Sequence, residues 1–153
     1  MKALSKKKVL FMSQIVRDIT GIARCGVQYR TDQLAPLGLK ACHASYLTEI
    51  CACPGISQDG LARRIYFNKS NVARQVAVLE EEGLITRKPS ESDKRVMELY
   101  PTEKALAILP QLREVLQCWE ACIVSDLTEE EKDLLSRLLA KMTPRAGAYM
   151  DER

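Results

Sequence analysis

Four polar side chains near the middle of the sequence have the types and spacing that recognition of nucleic-acid bases requires. Val72, Val76 and Leu79 recur at steps of four and three, which predicts a helix over 69–82 with one buried stripe. Arginine can bond both major-groove acceptors of guanine, asparagine or glutamine can pair with adenine, and serine can bond a base edge or a phosphate. Residues of these types occupy the opposite face of the helix: Ser70, Asn71, Arg74 and Gln75. This helix is therefore the candidate element for a major groove.

Basic side chains lie on both sides of this helix in the sequence, and they are suited to neutralising phosphate charge. No acidic residue occurs between Arg63 and Arg74, whereas acidic residues gather in the last third of the chain. The formal net charge of +3 permits a nucleic-acid partner without requiring one. We expect phosphate contacts from Arg63, Arg64 and Lys69, and contacts near the adjacent minor groove from Arg87, Lys88, Lys94 and Arg95.

The sequence carries few groups that could support catalysis or hold a metal. Its one histidine, His43, leaves little for acid–base chemistry, and it has no glycine-rich phosphate loop and no nucleophile elbow. Cys51 and Cys53 are separated by one residue, and no second cysteine pair lies at the spacing of a zinc site. The six cysteines fit reduced thiols better than a disulfide framework. The sequence therefore predicts no enzyme, no catalytic residue, no metal and no cofactor.

Hydropathy and the N-terminal residues indicate the compartment. Lysines at 2 and 6–8 precede an apolar run at 9–12, as in a secretory signal, but polar residues from Ser13 onward end that run too early. No apolar run approaches the roughly 18 to 20 residues that a membrane span requires. We expect a cytoplasmic protein with no membrane partner.

Two helices are expected before the central segment. Helical periodicity predicts a long first helix over 6–34, and Pro36 and Gly38 then break the chain. A second helix is expected over 41–52. The apolar face of the first helix comprises Val9, Met12, Ile15, Val16, Ile19, Ile22 and Ala23.

Capping residues mark the ends of the elements around the candidate helix. Ser57 is a candidate N-cap of a short third helix, and Asn68 is a candidate N-cap of the helix over 69–82. Gly83 is expected to end that helix in the left-handed conformation. The glutamates at 80–82 are expected to form a solvated face, because they lie at the negative end of the helix.

A hairpin and two long helices complete the predicted elements. Two stretches of strand character, 84–88 and 94–100, flank a polar turn, which predicts a β-hairpin. Thr102 is a candidate cap of a fifth helix, and Thr128 with Glu131 has the spacing of a capping box at the start of a sixth. The expected fold is mainly α with a small β-hairpin wing, in the element order of a winged helix-turn-helix.

Four segments resemble the MarR family of bacterial regulators. They read GISQDGLA at 55–62, KSNV at 69–72, LEEEGLITR at 79–87 and SDKR at 92–95. The most specific feature is the spacing from Gly83-Leu84-Ile85 to the wing motif Asp93-Lys94-Arg95. The similarity extends over nearly the whole chain.

This resemblance implies a homodimer with three regions per subunit: an N-terminal dimerisation helix at 1–36, a winged helix-turn-helix at 37–101, and C-terminal dimerisation helices at 102–153. It implies a sequence-specific DNA-binding regulator, a repressor on a pseudo-palindromic operator, released by a small aromatic ligand or an oxidant. In the family the wing aspartate holds a basic residue while an arginine enters the minor groove. Carried over, Asp93 orients and Arg95 inserts.

The chain departs from the family pattern in two places. The segment 99–105 after the wing lacks the usual glycine, and Lys40 and His43 replace the commoner threonine and glutamine. These departures bear on any ligand pocket rather than on the fold. Residues that could bind a ligand or sense an oxidant are Cys25, His43, Tyr46, Cys118, Trp119 and Cys122, although core or interface packing is the commoner role of each residue type.

A second class of function fits the same element order. In a winged-helix protein-interaction module, the third and fourth helices would dock onto another protein instead of DNA. The salt dependence of binding distinguishes the two functions. Affinity for DNA falls steeply with salt because binding releases counterions, whereas an apolar protein interface releases none.

Overall fold

A computed structural model of the chain describes the backbone of residues 6–151 and the side chains of residues 14–149. The predicted apolar residues Val9 and Met12, and the N-terminal lysines, lie outside the described side chains. The described part is mainly helical with one small sheet, as the sequence predicted. None of its helices combines the length and apolarity needed to cross a bilayer. The elements are α1 (Lys6–Leu34), a 3-10 turn (Ala35–Leu37), α2 (His43–Ala52), β1 (Ile56–Ser57), α3 (Gln58–Ile65), α4 (Lys69–Glu81), β2 (Ile85–Pro89), β3 (Met97–Pro101), α5 (Glu103–Ile123) and α6 (Glu129–Asp151).

The chain forms two compact units, Met1–Ala41 and Cys42–Arg153. In the first, α1 ends where the sequence predicted a break. Gly38 has a φ of +70°, in the left-handed region that glycine enters without steric cost. The amide of Leu39 then donates to the carbonyl oxygen of Leu34 at 3.1 Å, and both leucine side chains are buried. This hydrogen bond and the buried pair fix the end of the long helix.

The core of the second unit joins the inner faces of α2, α3 and α4 to the sheet and to α5. The predicted stripe of α4 is fully buried, and so are Ala44, Leu47 and Ile50 of α2. Leu61 and Ala62 of α3 are buried, whereas Ile65 is only half-buried. Burying one such large apolar side chain contributes about 1.5 to 3 kcal/mol. The most deeply buried apolar residues of this unit include Leu47, Ile50, Leu61, Val72, Val76, Leu79, Leu84, Ile85, Leu99 and Leu112.

Four helices begin at the caps that the sequence predicted. Ser57, Asn68 and Thr102 each accept a hydrogen bond on the side-chain oxygen from a backbone N–H of the first turn, at 2.7 to 3.3 Å. At the start of α6, Thr128 and Glu131 form a reciprocal capping box, with distances of 2.9 and 3.3 Å. These bonds satisfy amides that have no partner inside the helix. Local cap chemistry therefore fixes where α3, α4, α5 and α6 begin.

The sheet has three antiparallel strands in the order β1-β3-β2. Leu99 of β3 is its central residue, opposite Ile56 on one side and Arg87 on the other. The sequence predicted the hairpin of β2 and β3 but not the two-residue β1. It also placed the start of β3 at Lys94, which is wrong. The chain first makes a turn in which the amide of Val96 donates to the carbonyl oxygen of Asp93 at 2.9 Å, so pairing begins only at Met97.

Gly83 ends α4 in the way the sequence predicted. Its φ is +70°, and its amide donates to the carbonyl oxygen of Glu80 at 2.9 Å. The amide of Leu84 reaches back to the carbonyl oxygen of Leu79 at 2.9 Å, which completes a Schellman ending. This turn sets the direction in which the chain enters β2.

Two glycine substitutions should have opposite effects on stability. Gly83→Ala should lower the free energy of unfolding by about 1 kcal/mol, because an L side chain is strained at positive φ. Gly21→Ala should raise it by about 0.5 to 1 kcal/mol, because Gly21 lies inside α1 and its missing Cβ would meet no atom within 4 Å. Urea unfolding of both variants measures the difference. Stabilisation by Gly83→Ala would contradict the left-handed ending of α4.

Candidate nucleic-acid interface

The outward face of α4 presents two of the four predicted reading residues to solvent. Ser70 and Arg74 are exposed, whereas Asn71 and Gln75 are half-buried. The opposite face of the helix is fixed by its buried stripe. At the start of α4, the Oδ1 atom of Asn68 accepts from the amide of Asn71 at 2.7 Å and from the hydroxyl of Ser70 at 3.2 Å. The helix therefore holds Ser70 and Arg74 outward on a rigid support.

The two amide side chains of this face are oriented by α2 and by Cys42, the residue before it. The hydroxyl of Tyr46 donates to Oδ1 of Asn71 at 3.4 Å, and the thiol of Cys42 donates to Oε1 of Gln75 at 3.8 Å. Each amide oxygen keeps a second lone pair, and each NH2 group has two donors for an external partner. Burial raises the pKa of Tyr46, which stays protonated and able to donate at neutral pH. Asn71 and Gln75 are thus positioned with hydrogen-bonding capacity to spare.

The residues predicted to contact phosphates lie in α3 and at the start of α4. All three are exposed: Arg63, Arg64 and Lys69. Nε of Arg64 donates to Glu49 at 2.5 Å, and Nζ of Lys69 donates to Asp59 at 2.7 Å. The hydrogen bond to Glu49 raises the pKa of Arg64. Among the described residues, Arg63 has no ion pair. The carboxylate partners were missed by the sequence reasoning, because no spacing links residues of different elements.

The wing tip is built around one carboxylate. Oδ1 of Asp93 accepts from the backbone amide of Arg95 at 3.0 Å and from its Nε at 3.1 Å, while Oδ2 accepts from a terminal guanidinium nitrogen at 3.1 Å. These bonds hold the pKa of Asp93 below its usual value. The side chain of Arg95 is nevertheless 90% exposed. The tip therefore carries an arginine that is oriented at one edge and open to solvent elsewhere.

Arg87 and Lys88, the two cations at the base of the wing, each contact a side chain of another element or strand. Nε of Arg87 donates to Oε2 of Glu80 at 2.8 Å, and a terminal nitrogen of Arg87 contacts the same oxygen. This pair lowers the pKa of Glu80 and raises that of Arg87. Nζ of Lys88 lies 5.1 Å from the centroid of the Tyr100 ring, a cation–π distance. Lys94 is exposed in the turn before β3.

The glutamates at 80–82 do not form the solvated face that the sequence predicted. Glu80 pairs with Arg87, and Oε2 of Glu82 lies 3.6 Å from Nδ1 of His43, whose side chain is fully buried. Only Glu81 is exposed. The prediction was wrong because the partners come from β2 and α2, which approach α4 only in the fold.

The candidate sensing residues are spread over the two units. His43 and Tyr46 are buried in α2, and Trp119 on α5 is partly buried. All six cysteines are free, and the exposed ones include Cys25 on α1 and Cys118 and Cys122 on α5. In the part of the chain that the structure describes, no group of three or more His, Cys, Asp or Glu side chains could hold a metal ion.

Comparison with known proteins gives the family of this chain. A model of the MarR family matches residues 42–97, which include α2, α3, α4 and the wing tip. The "Uncharacterized HTH-type transcriptional regulator YybA" of Bacillus subtilis (strain 168) is 34% identical over 131 residues, covering 86% of this chain and 87% of the relative. The chain belongs to the MarR family. This MarR-family protein is accordingly a transcriptional regulator and not an enzyme.

Solved structures share the fold of the MarR-family chain well beyond the matched segment. The transcriptional regulator SlyA aligns with a TM-score of 0.85 at 28% identity, over 90% of this chain and 96% of SlyA. A MarR-family regulator from Listeria monocytogenes, solved in complex with a 26mer DNA, aligns with a TM-score of 0.85 at 27% identity, over 88% of this chain and 90% of the other. The likeness therefore includes the long helices as well as the wing.

Proposed function

We propose that this protein is a repressor that binds a pseudo-palindromic DNA operator as a homodimer. The observation that carries the proposal is the exposure of Arg74 on α4 and Arg95 at the wing tip, each held by a supported element. Arginine at these two places can bond a guanine edge in the major groove and enter a narrow minor groove. The 26mer DNA bound by the related Listeria regulator supports DNA as the partner.

In the proposed complex, α4 lies in the major groove and the wing lies beside it. The N-terminal turn of α4 faces the phosphates with its unpaired amides, and α3 crosses the backbone. Asp93 orients the guanidinium of Arg95, which enters the minor groove. Base-edge contacts are assigned to Ser70, Asn71, Arg74 and Gln75, and backbone or groove-edge contacts to Arg63, Arg64, Lys69, Arg87, Lys88 and Lys94.

The apolar surface of α6 supports the homodimer. Five large apolar side chains occupy one face at steps of one, three and four residues, and each is 38 to 49% exposed in the single subunit. Exposed apolar surface of this extent marks a contact with another protein surface. A second copy of the chain supplies the matching face without any further component. The residues are Leu134, Leu135, Leu138, Leu139 and Met142.

The long first helix supports the same assembly. Val16, Ile19 and Ile22 of α1 are 63%, 44% and 52% exposed, at steps that place them on one side. We assign residues 1–36 and 102–153 to the dimerisation region and residues 37–101 to the DNA-binding region. Two copies that pair through these helices would present two reading helices to successive turns of DNA, roughly 34 to 36 Å apart.

Release of the operator is assigned to a small aromatic ligand or an oxidant. A ligand that favours a different spacing of the two reading helices weakens DNA binding by its differential affinity for the two states. Exposure of Cys25, Cys118 and Cys122 makes these thiols accessible to an oxidant in the single subunit. Tyr46 and His43 are buried, and Trp119 is partly buried. These side chains could contact an aromatic ligand only after the packing around them changes.

Selection of bound fragments from random duplex DNA tests the function directly. The purified protein should enrich a two-fold symmetric sequence whose half-sites are about one helical turn apart. Repeating the selection with salicylate or with peroxide, at fixed protein concentration, reveals which class of effector releases the DNA. Failure to enrich any sequence would contradict the proposal.

The alternative is a winged-helix module that binds another protein through α3 and α4. The exposed cations around α4 favour DNA over such a partner, because they can neutralise phosphate charge and because the centre of a protein interface is depleted of charged residues as a class. DNA affinity should fall steeply with salt, whereas binding to a protein through an apolar surface should respond weakly. A flat salt profile for a protein partner, with no DNA binding, would favour the alternative.

Substitutions of two wing cations should change the salt dependence of DNA affinity to different extents. Lys94→Ala should reduce the slope of log affinity against log salt by about one, because Lys94 is exposed and would neutralise a phosphate. Arg87→Ala should change the slope less, because Glu80 already neutralises Arg87. Fluorescence anisotropy at four salt concentrations measures both slopes. Equal reductions in the two variants would contradict this difference between the tip and the base of the wing.

A further inference from the structure

The junction between α3 and α4 contains an unusual backbone conformation. Tyr66 has a φ of +57° and a ψ of +39°, and it is the only non-glycine residue with positive φ in the part of the chain that the structure describes. Its amide caps α3 by donating to the carbonyl oxygen of Ala62. Bulky residues are rarely found in the left-handed region, and they persist there only when their surroundings hold them. Contacts on both sides of the junction hold it in this conformation.

On one side, the ring of Tyr66 lies against the backbone of α6 at Gly147. A Cβ atom built on Gly147 would be 2.6 Å from Cε1 and 3.0 Å from Cδ1 of that ring. Contacts that short are not made by real Cβ atoms, so an alanine would force the ring to move. Glycine is unfavourable inside a helix, and nothing else in the sequence of α6 calls for one there. The missing side chain at Gly147 is thus explained by its contact with the Tyr66 ring.

On the other side, the next residue anchors the junction to α2. The ring of Phe67 lies 6.1 Å from the ring of Tyr46, at an interplanar angle of 44°. The amide of Phe67 also donates to the carbonyl oxygen of Ala62 at 3.1 Å. Tyr46 in turn donates its hydroxyl proton to Asn71 on α4. The junction is held between α6 and α2, and the second anchor leads directly to the reading face.

A displaced Tyr66 ring has room to move without unfolding the protein. The ring borders a cavity of about 980 Å³ between the junction and the end of α6. Lys69 and Ser70, the first two residues of α4, line the same cavity. A ring pushed away from Gly147 therefore moves beside the N-terminal turn of the helix that the proposed function places on DNA.

We propose that Gly147 is a positioning residue: by accepting the Tyr66 ring, it lets the end of α6 set the pose of the α3–α4 junction and hence of α4. The inference rests on the proposed function, in which α6 belongs to the dimerisation region and α4 reads DNA. It gives the dimer a direct mechanical route to each reading helix. Coupling between distant sites is carried by chains of packed side chains of this kind.

A double-mutant cycle tests the proposal with the full-length protein. Gly147→Ala pushes the ring away, Tyr66→Gly removes it and relieves the positive φ, and the double variant has neither partner. Affinity is measured for a duplex selected with the wild-type protein. Each single variant and the double variant should lose affinity to a similar extent, about fivefold. Ala148→Ser, which adds one atom to the next exposed residue of α6, should retain wild-type affinity.

Two outcomes would overturn the proposal. Losses that add in the double variant would show that the two residues act independently, and unchanged affinity in Gly147→Ala would show that the contact does not position α4. Thermal unfolding of each variant identifies any that fails to fold, and Tyr66→Gly tests the contact from the side where no clash is created.

Hydrogen exchange without DNA distinguishes this proposal from the proposed function. Amides of residues 66–71 should exchange faster in Gly147→Ala than in the wild type, whether or not a duplex is bound. If the wild type selects no duplex but this exchange is altered, the function fails and the positioning contact stands. If the wild type binds DNA but exchange of residues 66–71 is unaltered in Gly147→Ala, the proposed function stands and the positioning role of Gly147 is contradicted.

Discussion

Arg74→Ala is expected to lower affinity for the selected duplex about tenfold or more and to relax the preference for guanine at one position of each half-site. Arg74 is exposed on a helix whose opposite face is locked in the core, so its guanidinium can approach a base edge without moving the backbone. A bidentate arginine–guanine pair contributes about 1 to 3 kcal/mol of discrimination. Anisotropy titrations on duplexes with each base at each position measure both effects.

A matched control separates base reading from loss of positive charge. Arg24→Ala removes the same charge from an exposed position on α1, outside the proposed DNA-binding region, and should leave the base preference intact. Arg95→Ala should also weaken binding, with its preference changed at A·T positions under the wing, because a narrow A·T-rich minor groove attracts arginine. Wild-type affinity in both Arg74→Ala and Arg95→Ala would refute the assigned contacts.

The second large effect is expected on the apolar face of α6. Leu138→Lys places a charge in the middle of the five apolar side chains, where burial against a partner would strip the ammonium group of water. The protein should become monomeric and should lose about a hundredfold or more in affinity for a two-half-site duplex, because the second half-site no longer binds at high effective concentration. Sedimentation equilibrium and anisotropy measure the two quantities.

Ser136→Lys is the control for this substitution. It introduces the same side chain at an exposed position two residues away, which is about 200° around the helix and faces away from the apolar stripe. This variant should remain a dimer with near wild-type affinity. A dimeric Leu138→Lys protein would show that α6 does not form the interface.

Features that depend on neighbours in the sequence could be predicted before the fold was known. The buried stripe of α4, the caps at Asn68 and Thr128, and the left-handed ending at Gly83 each follow from spacing over a few residues. The orientation of Arg95 by Asp93 belongs to the same group, because the two residues are two positions apart. This orientation was predicted from the family resemblance and not from composition.

Features that depend on contacts between elements could not be predicted. Glu80 was placed in solvent because helix periodicity gives no sign that Arg87 of β2 will reach it. The same holds for Glu82 and His43, which are 39 positions apart in the sequence (82 − 43). Asn71 was placed on the outward face of the helix, and Tyr46 of α2 covers part of it there. Local patterns thus give the faces of helices, and the tertiary fold gives the partners of their charged edges.

The short strand β1 has a consequence for how a DNA site can vary. Ser57 pairs with Glu98 in the sheet and also caps α3, so one residue belongs both to the wing ladder and to the helix-turn-helix. The wing cannot bend away from α3 without disturbing either this pairing or that cap. In the proposed complex, the distance from α4 to the wing tip is therefore fixed within each subunit. The protein would then set the number of base pairs between the step contacted by α4 and the step contacted by Arg95, and only the distance between the two subunits of the proposed homodimer would vary.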